Sequence, residues 1–454
     1  MRRNDLKLSF RLATLVGAMV ALSTVLNGLG AYLRRTGLWE PVAYAAYWER
    51  HCVGGSTTDA PVGLGRRCIV PDLMEPPRIP HALGAEHVFR VTRGEHWLKV
   101  AKDATVLSLV GVGVLLAVRA DAIPIALSSV GWSLAALVAW AGARIAVSGD
   151  LYSLAAGLRA FSFLAVAATG RLFASPTTLA ILSTWMGGLL WLELLLVPGE
   201  LLFGLPLNGY LPFLHLPSRV AGTLTKPNSL GAVAVVAFIF ANQFSGRPRV
   251  RWPLLFACVT LVLASGSATG MLVLLAWVGF TGFRRLSARL RAGMLLGWLL
   301  ITLLIAANLT TLLGRPSIYK GLAGRWHELQ FTAATLNWAE LFVGQGLGRG
   351  TNTLASLRSD ASLGAGDSTI TSLLRQTGIA GITAFYLLLA WAWRRDSVVR
   401  PFVEVIALVS VTTSVIELFP VNLLLGLTLA RCSDLTMPGP SSPLANSGPQ
   451  GDSQ

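Results

Sequence analysis

The chain has 454 residues, of which 53% are hydrophobic and 13% charged, with a net charge of +15. That balance excludes burial in a single aqueous core. The continuous apolar runs exclude the short alternating segments of a β-barrel, which leaves a polytopic helical membrane protein.

The N-terminal sequence MRRNDLKLSFR precedes an apolar run too long for a signal-peptide core. Residues 10–33 are therefore expected to be a retained first span, with Arg2, Arg3, Lys7 and Arg11 on the cytoplasmic side. A hydrophilic segment, 34–101, follows as a first extracytoplasmic loop, in which Cys52 and Cys68 could pair. The four cysteines do not make a disulfide scaffold, and no Cys/His spacing suits zinc. Spans two and three are predicted at 103–118 and 122–143, turning at Arg119 and Asp121.

Span four, 151–169, carries Arg159 near its middle, and span five, 176–197, carries Glu193 near its far end. A charge at such depth is costly unless it is paired or faces a wet cavity. The two groups are thus expected to bond each other or the backbone, or else to line a polar cavity. A loop rich in Pro and Gly, 198–217, leads to SRVAGTLTKPNSLG, where Arg219 and Lys226 stand ahead of Pro227 and Asn228 at the entrance of span six. Proline suits a first helical turn, and Asn or Ser accepts from the free N–H groups there; those same N–H groups would hold a phosphate.

Two further basic clusters, Arg247, Arg249 and Arg251, then Arg284, Arg285, Arg289 and Arg291, imply one common side. The apolar run between them must cross twice, with its turn at SGSATG, 265–270. Span nine, 292–313, delivers 314–367 to the far side, and span ten, 368–393, returns to Arg394, Arg395 and Arg400. Span eleven, 402–419, meets the turn FPVN, and span twelve runs back to Arg431. The tail, 433–454, has nothing to bury and is expected to be disordered. The alternation gives an all-α integral membrane domain over 1–432, with about twelve spans and both termini in the cytoplasm. One large extracytoplasmic loop, 314–367, lies between spans nine and ten. The basic clusters are topology anchors on this reading, so nucleic acid is not an expected partner.

Chemistry is expected on the far side. Arg219, Lys226, Lys320, Arg325, His327, Arg349, Arg358 and Asp367 all fall at or beyond that face, with Trp326 between Arg325 and His327. An arginine fork donates to two oxygens and keeps its charge, which suits a diphosphate. A substrate both anionic and membrane-bound fits this layout: a polyprenyl diphosphate carrying sugars. No paired carboxylates in the loops suit Mg²⁺, so a metal-independent reaction without a cofactor is expected. The run Gly344, Gln345, Gly346, Leu347, Gly348 reads as a backbone turn. In span ten, Ser368, Thr371, Ser372 and Arg375 share an arc of about 100°, so its first two turns are expected to be wet on one side. Asp367, just ahead, would be either the helix N-cap or the group that receives the attacking hydroxyl's proton. Glu417 is its rival in the second role.

The ordered pieces RVAGTLTKPNSLG, GRW, GQGLGRGTN and DSTITSLLRQTGIAG, spread over 218–381, resemble the O-antigen ligase and polymerase family of bacterial membrane glycosyltransferases. The resemblance implies a lipid-linked, diphosphate-activated glycan donor, no metal or nucleotide, and essential arginines at Arg219 and Arg325. With Asp367 these make the expected catalytic set. Lys226, Asn228, Trp326, His327, Arg349, Arg375 and Arg159 make the expected substrate-binding set. The family's ligase branch has a His-Asn pair where this chain has Asp367 and Ser368, which favours a polymerase joining repeat units. The alternatives are ligase-like transfer of a finished glycan to a lipid or protein, and a lipid-linked sugar flippase. A flippase would carry charge through several spans and show internal repeats, whereas here charge gathers on one face. The expected partners are the polyprenyl diphosphate-linked oligosaccharide and membrane lipids, with chain-length regulator and export proteins of a polysaccharide assembly system as candidates. The expected location is a bacterial inner membrane, with the site facing the periplasm.

Overall fold

The computed structural model describes residues 150–169, 174–202, 220, 222–224, 227–245, 251–283, 318–351, 353–354 and 368–434, with scattered positions in 14–22, 104–140 and 287–304. Among the described residues the chain is helical, without a strand. The helices are α1 (Leu151–Ala160), α2 (Ser162–Thr169), α3 (Pro176–Leu202), α4 (Pro227–Phe244), α5 (Arg251–Ser265), α6 (Ala268–Phe283), α7 (Ile318–Thr335), α8 (Trp338–Val343), α9 (Thr369–Arg395), α10 (Arg400–Thr412) and α11 (Val421–Asp434). Among the described residues, two segments are long and apolar enough to cross a membrane: Pro176–Gly199 in α3, and Thr369–Arg395, which is α9. Shorter apolar helices run over Asn228–Phe244, Arg251–Ser265, Ala268–Phe283 and Val421–Ser433. The predicted first span, the loop 34–101 with Cys52 and Cys68, and the tail beyond Asp434 lie outside the described residues, scattered helical positions in the first span aside. Spans two, three and nine are represented only by scattered positions, so the count of about twelve falls largely outside them as well.

α4 is the centre of the bundle. Its sequence is apolar all round, as a helix enclosed by other helices must be, and Ala232, Val235, Val236, Phe238, Ile239 and Phe240 are all buried. It packs against α3, α5, α6, α10 and α11. Its start follows the local rules read from sequence, since Pro227 is its first residue. Small residues bring neighbours close: a Cβ on Gly231 would lie 2.1 Å from the Ser267 Cβ, and one on Gly426 would lie 2.7 Å from the Phe163 carbonyl oxygen. Apolar side chains are as well solvated by lipid as by one another, so close backbone approach and hydrogen bonds set helix association in a membrane. The first contact seats the turn between α5 and α6 on the start of α4, and the second locks α11 to α2. The turn at 265–270 is thus found where the charge clusters required a reversal, with Gly266 at positive φ.

Several boundaries differ from the sequence reading. The predicted span over 151–169 is two helices broken at Phe161, whose N–H still reaches the Gly157 carbonyl at 2.9 Å. α1 is held through Gly157 to Leu347, and α2 through Gly426 to α11. The predicted loop from 198 begins later, because α3 carries Pro198 internally and runs to Leu202; a proline so near the end disturbs only the last turn. Span eleven ends at Thr412, not 419. Thr413 is extended, within a Thr412, Thr413, Ser414 run whose hydroxyls compete with the helical ladder. Span ten starts from Ser368, whose hydroxyl accepts from the Thr371 N–H at 3.1 Å, so the N-cap is Ser368 and not Asp367. α9 is also interrupted at Gly378, where φ is 65° and ψ −163°.

Candidate functional site

The N-terminal end of α9 gathers the described polar groups of the stretch 324–381. α7 lies along it with an inward face of Arg325, Glu328, Leu329, Thr332 and Leu336, an i, i+3/i+4, i+7 spacing. Arg325 Nη1 donates to the carbonyl oxygen of Thr412, at the end of α10. Two α7 turns on, Thr332 is fully buried, and its hydroxyl accepts from Arg375 of α9, at 3.3 Å from Nε and 3.2 Å from Nη2.

The segment after α10 closes the other side. Thr369 Oγ1 donates to the Thr413 carbonyl at 2.9 Å and accepts from the Val415 N–H at 2.9 Å. Glu417 in the same segment accepts from the hydroxyls of Ser372 at 3.4 Å and Ser414 at 3.3 Å. The arc of Ser368, Thr371 and Ser372 does share one face, as the periodicity requires. It is not wet, however: all three are buried and bonded within the protein, because the segment 413–417 covers them. Arg375 is the half-buried member.

The glycine-rich turn forms the third wall. Gly344, Gly346, Gly348 and Gly350 all have positive φ, so the backbone turns tightly enough to lie against two helices at once. On one side the N–H groups of Gln345 and Gly346 reach the Arg375 and Gln376 carbonyls at 2.7 and 3.3 Å. On the other, Gly348 abuts Ser153 of α1, where a Cβ would meet the Ser153 carbonyl oxygen at 2.0 Å. Gln376 ties the arrangement together: it is fully buried, its Oε1 accepts from Gly348 N–H at 3.0 Å, and its Nε2 donates to Ser372 Oγ at 3.0 Å.

Two more arginines come in with this wall. Arg349 Nη2 stands 3.9 Å from Asp150 Oδ2; that carboxylate also caps α1 through the Ser153 N–H at 3.1 Å. Arg159, read from sequence as a buried charge near mid-span, donates to Thr353 Oγ1 just beyond the glycine turn. Glu193, its suspected partner, accepts from the N–H and hydroxyl of Thr223, in the short 3-10 turn Gly222–Leu224.

The structure thus brings Arg159, Arg325, Arg349 and Arg375 to the elements around one helix end. It does not put Trp326 and His327 on the same α7 face as Arg325, since both are exposed on the outer side. Asn228 is in the first turn of α4, where its carbonyl accepts from Ser267 Oγ at 3.4 Å. Arg219, Lys226, Arg358 and Asp367 lie outside the described residues, as does the Lys320 side chain. Thr332 and Gln376 escaped the sequence reading. Thr332 could have been found from its helical spacing to Arg325, whereas nothing local marks Gln376, whose partner Gly348 is far away in sequence. Chemically, guanidinium groups set among hydroxyls at a helix end suit a multiply charged oxyanion better than a neutral ligand. Comparison with known proteins adds no relative to this description: no family model, no curated protein and no solved structure matches the chain.

Proposed function

We propose that this protein is a metal-independent membrane glycosyltransferase of the polymerase type. It transfers a growing glycan from polyprenyl diphosphate to a sugar hydroxyl of a second lipid-linked repeat unit, at the periplasmic face of a bacterial inner membrane it crosses about twelve times. The observation that carries the reading is the gathering of Arg159, Arg325, Arg349 and Arg375 around the start of α9, a helix long enough to cross a bilayer. A polyprenyl diphosphate needs both features, cationic donors for its head and a membrane for its tail.

In the proposed step the acceptor hydroxyl attacks the anomeric carbon as the bond to the diphosphate breaks. The electron pair leaves on the diphosphate, where guanidinium donors stabilise charge that develops only in the transition state. The hydroxyl's proton passes to a carboxylate, for which Glu417 and Asp367 are the two candidates. Purified protein incubated with a polyprenyl diphosphate-linked repeat unit, without nucleotide or metal, should give a ladder of polymer lengths. Transfer only to an added core lipid or protein would make it a ligase, and movement of unaltered substrate across a sealed vesicle would make it a flippase.

A further inference from the structure

The outer surface of α7 and α8 changes character along its length. At its start the exposed residues include Trp326, His327 and Gln330; beyond them Phe331, Ala334, Trp338, Ala339, Phe342 and Val343 predominate, with Thr335 and Asn337 among them. Trp338 is 79% exposed and Phe331, Phe342 and Val343 are each at least half exposed, a concentration of bare aromatic surface that water does not favour. From 329 to 348 Glu340 is the sole ionisable residue, and it is engaged in capping α8, where it accepts from the Asn337 N–H at 3.1 Å.

This surface continues that of a membrane-spanning candidate. Beyond Gly378, α9 exposes a stripe of Ile379, Ala380, Thr383, Ala384 and Leu387; before Gly378 most of that helix is buried, and α8 packs there. The two meet backbone to backbone: a Cβ on Gly378 would lie 2.4 Å from the Phe342 carbonyl, and one on Gly344 would lie 2.3 Å from that of Gln376. Where α8 covers α9, its own apolar back takes over the exposed stripe. The depth follows from helix length. The helical run after the Gly378 break, 379–395, is ~25 Å long at ~1.5 Å per residue, short of a hydrocarbon layer of ~30 Å, so a layer that α9 crosses extends past Gly378 to the part that α8 covers.

An element in hydrocarbon needs its backbone groups paired, and two features at the ends of α8 supply such bonds. Its N-terminus is closed by the Asn337 and Glu340 capping box. Past its C-terminus, Gln345 and Gly346 donate to the α9 carbonyls next to the Gly378 break.

We propose that the end of α7 together with α8 is a membrane-dipping element, with Phe331, Trp338, Phe342 and Val343 seated against lipid acyl chains beside the N-terminal third of α9. Part of the stretch expected to be an extracytoplasmic loop then lies inside the bilayer. This inference is independent of which glycan, if any, is transferred.

The test uses the full chain in vesicles of phosphatidylethanolamine and phosphatidylglycerol, with Cys52 and Cys68 replaced by serine. Nitroxides are placed by Trp338→Cys, Phe342→Cys and Leu387→Cys. At 338 and 342, collision with oxygen should exceed collision with the aqueous nickel chelate, matching 387. Greater access for the nickel chelate at 338 and 342 than at 387 would overturn the proposal. A second measurement needs no cysteine: in bromolipid vesicles the quenched fraction of tryptophan emission should fall in Trp338→Phe relative to the native chain, and an unchanged fraction would overturn it as well.

Discussion

Alanine at Gly378 should loosen the joint between α8 and α9, and the cost can be worked from geometry. The backbone there, φ 65° and ψ −163°, is open almost only to glycine, so any L-residue costs ~1–3 kcal/mol in strain. The added Cβ would stand 2.4 Å from both the carbonyl carbon and oxygen of Phe342 and 2.6 Å from the Val343 nitrogen. These are backbone atoms that yield only if α8 moves, which adds overpacking of ~1–3 kcal/mol. The sum is ~2–6 kcal/mol of destabilisation. Gly188 is the matched control: it is an exposed helical glycine of α3 with nothing within 4 Å of an added Cβ. There the change to alanine should stabilise by ~1 kcal/mol through helix propensity. Thermal unfolding in detergent reads both, and Gly378→Ala should lower the midpoint by roughly 4 °C or more while Gly188→Ala leaves it level or raised. Equal midpoints for the two variants would refute the backbone contact.

Gln376→Leu keeps the side-chain volume but leaves the Gly348 N–H without its carbonyl partner, so it should cost ~1–3 kcal/mol, read as a lower unfolding midpoint. Asp396→Ala removes the carboxylate 2.7 Å from Arg431 Nε, which also accepts from the Val398 N–H at 2.8 Å. With both side chains largely buried, the loss should be ~2–4 kcal/mol, and a stability change within error would show that the pair is dispensable. For the proposed reaction, Arg325→Ala and Arg219→Ala should each abolish polymer formation while the protein still accumulates in the membrane. Near-normal chain length from both would remove the diphosphate role of these arginines.

Features governed by nearby residues were legible in the sequence. The start of α4 at Pro227 and the reversal at 265–270 follow from proline's place in a first turn and from the sign of flanking charge. The Glu193 carboxylate accepts from a backbone N–H, that of Thr223, which was one expected outcome; Arg159 instead donates to the Thr353 hydroxyl, a partner that was not expected. Periodicity showed which residues share a face but not what that face meets. The hydroxyl arc of α9 was therefore read as wet, when the segment 413–417 covers it. Gln376 and Thr332 were missed for the same reason, because their partners are brought near only by the packing of α9 against the glycine turn and α7.

That packing gives the polar groups of the site different kinds of bond. The Thr369 hydroxyl has one proton to donate and already gives it to Thr413, while accepting from Val415. The Gln376 amide holds Gly348 and Ser372 at its two ends. Groups bonded in this way fix helix to helix, and a substrate could recruit them only by breaking the joints they make. A guanidinium differs because it carries five N–H donors in a planar fork. Thr332 orients the Arg375 fork and the Thr412 carbonyl orients that of Arg325. On the proposed function the hydroxyls and the amide are the frame, and the arginines are the groups that would meet the diphosphate.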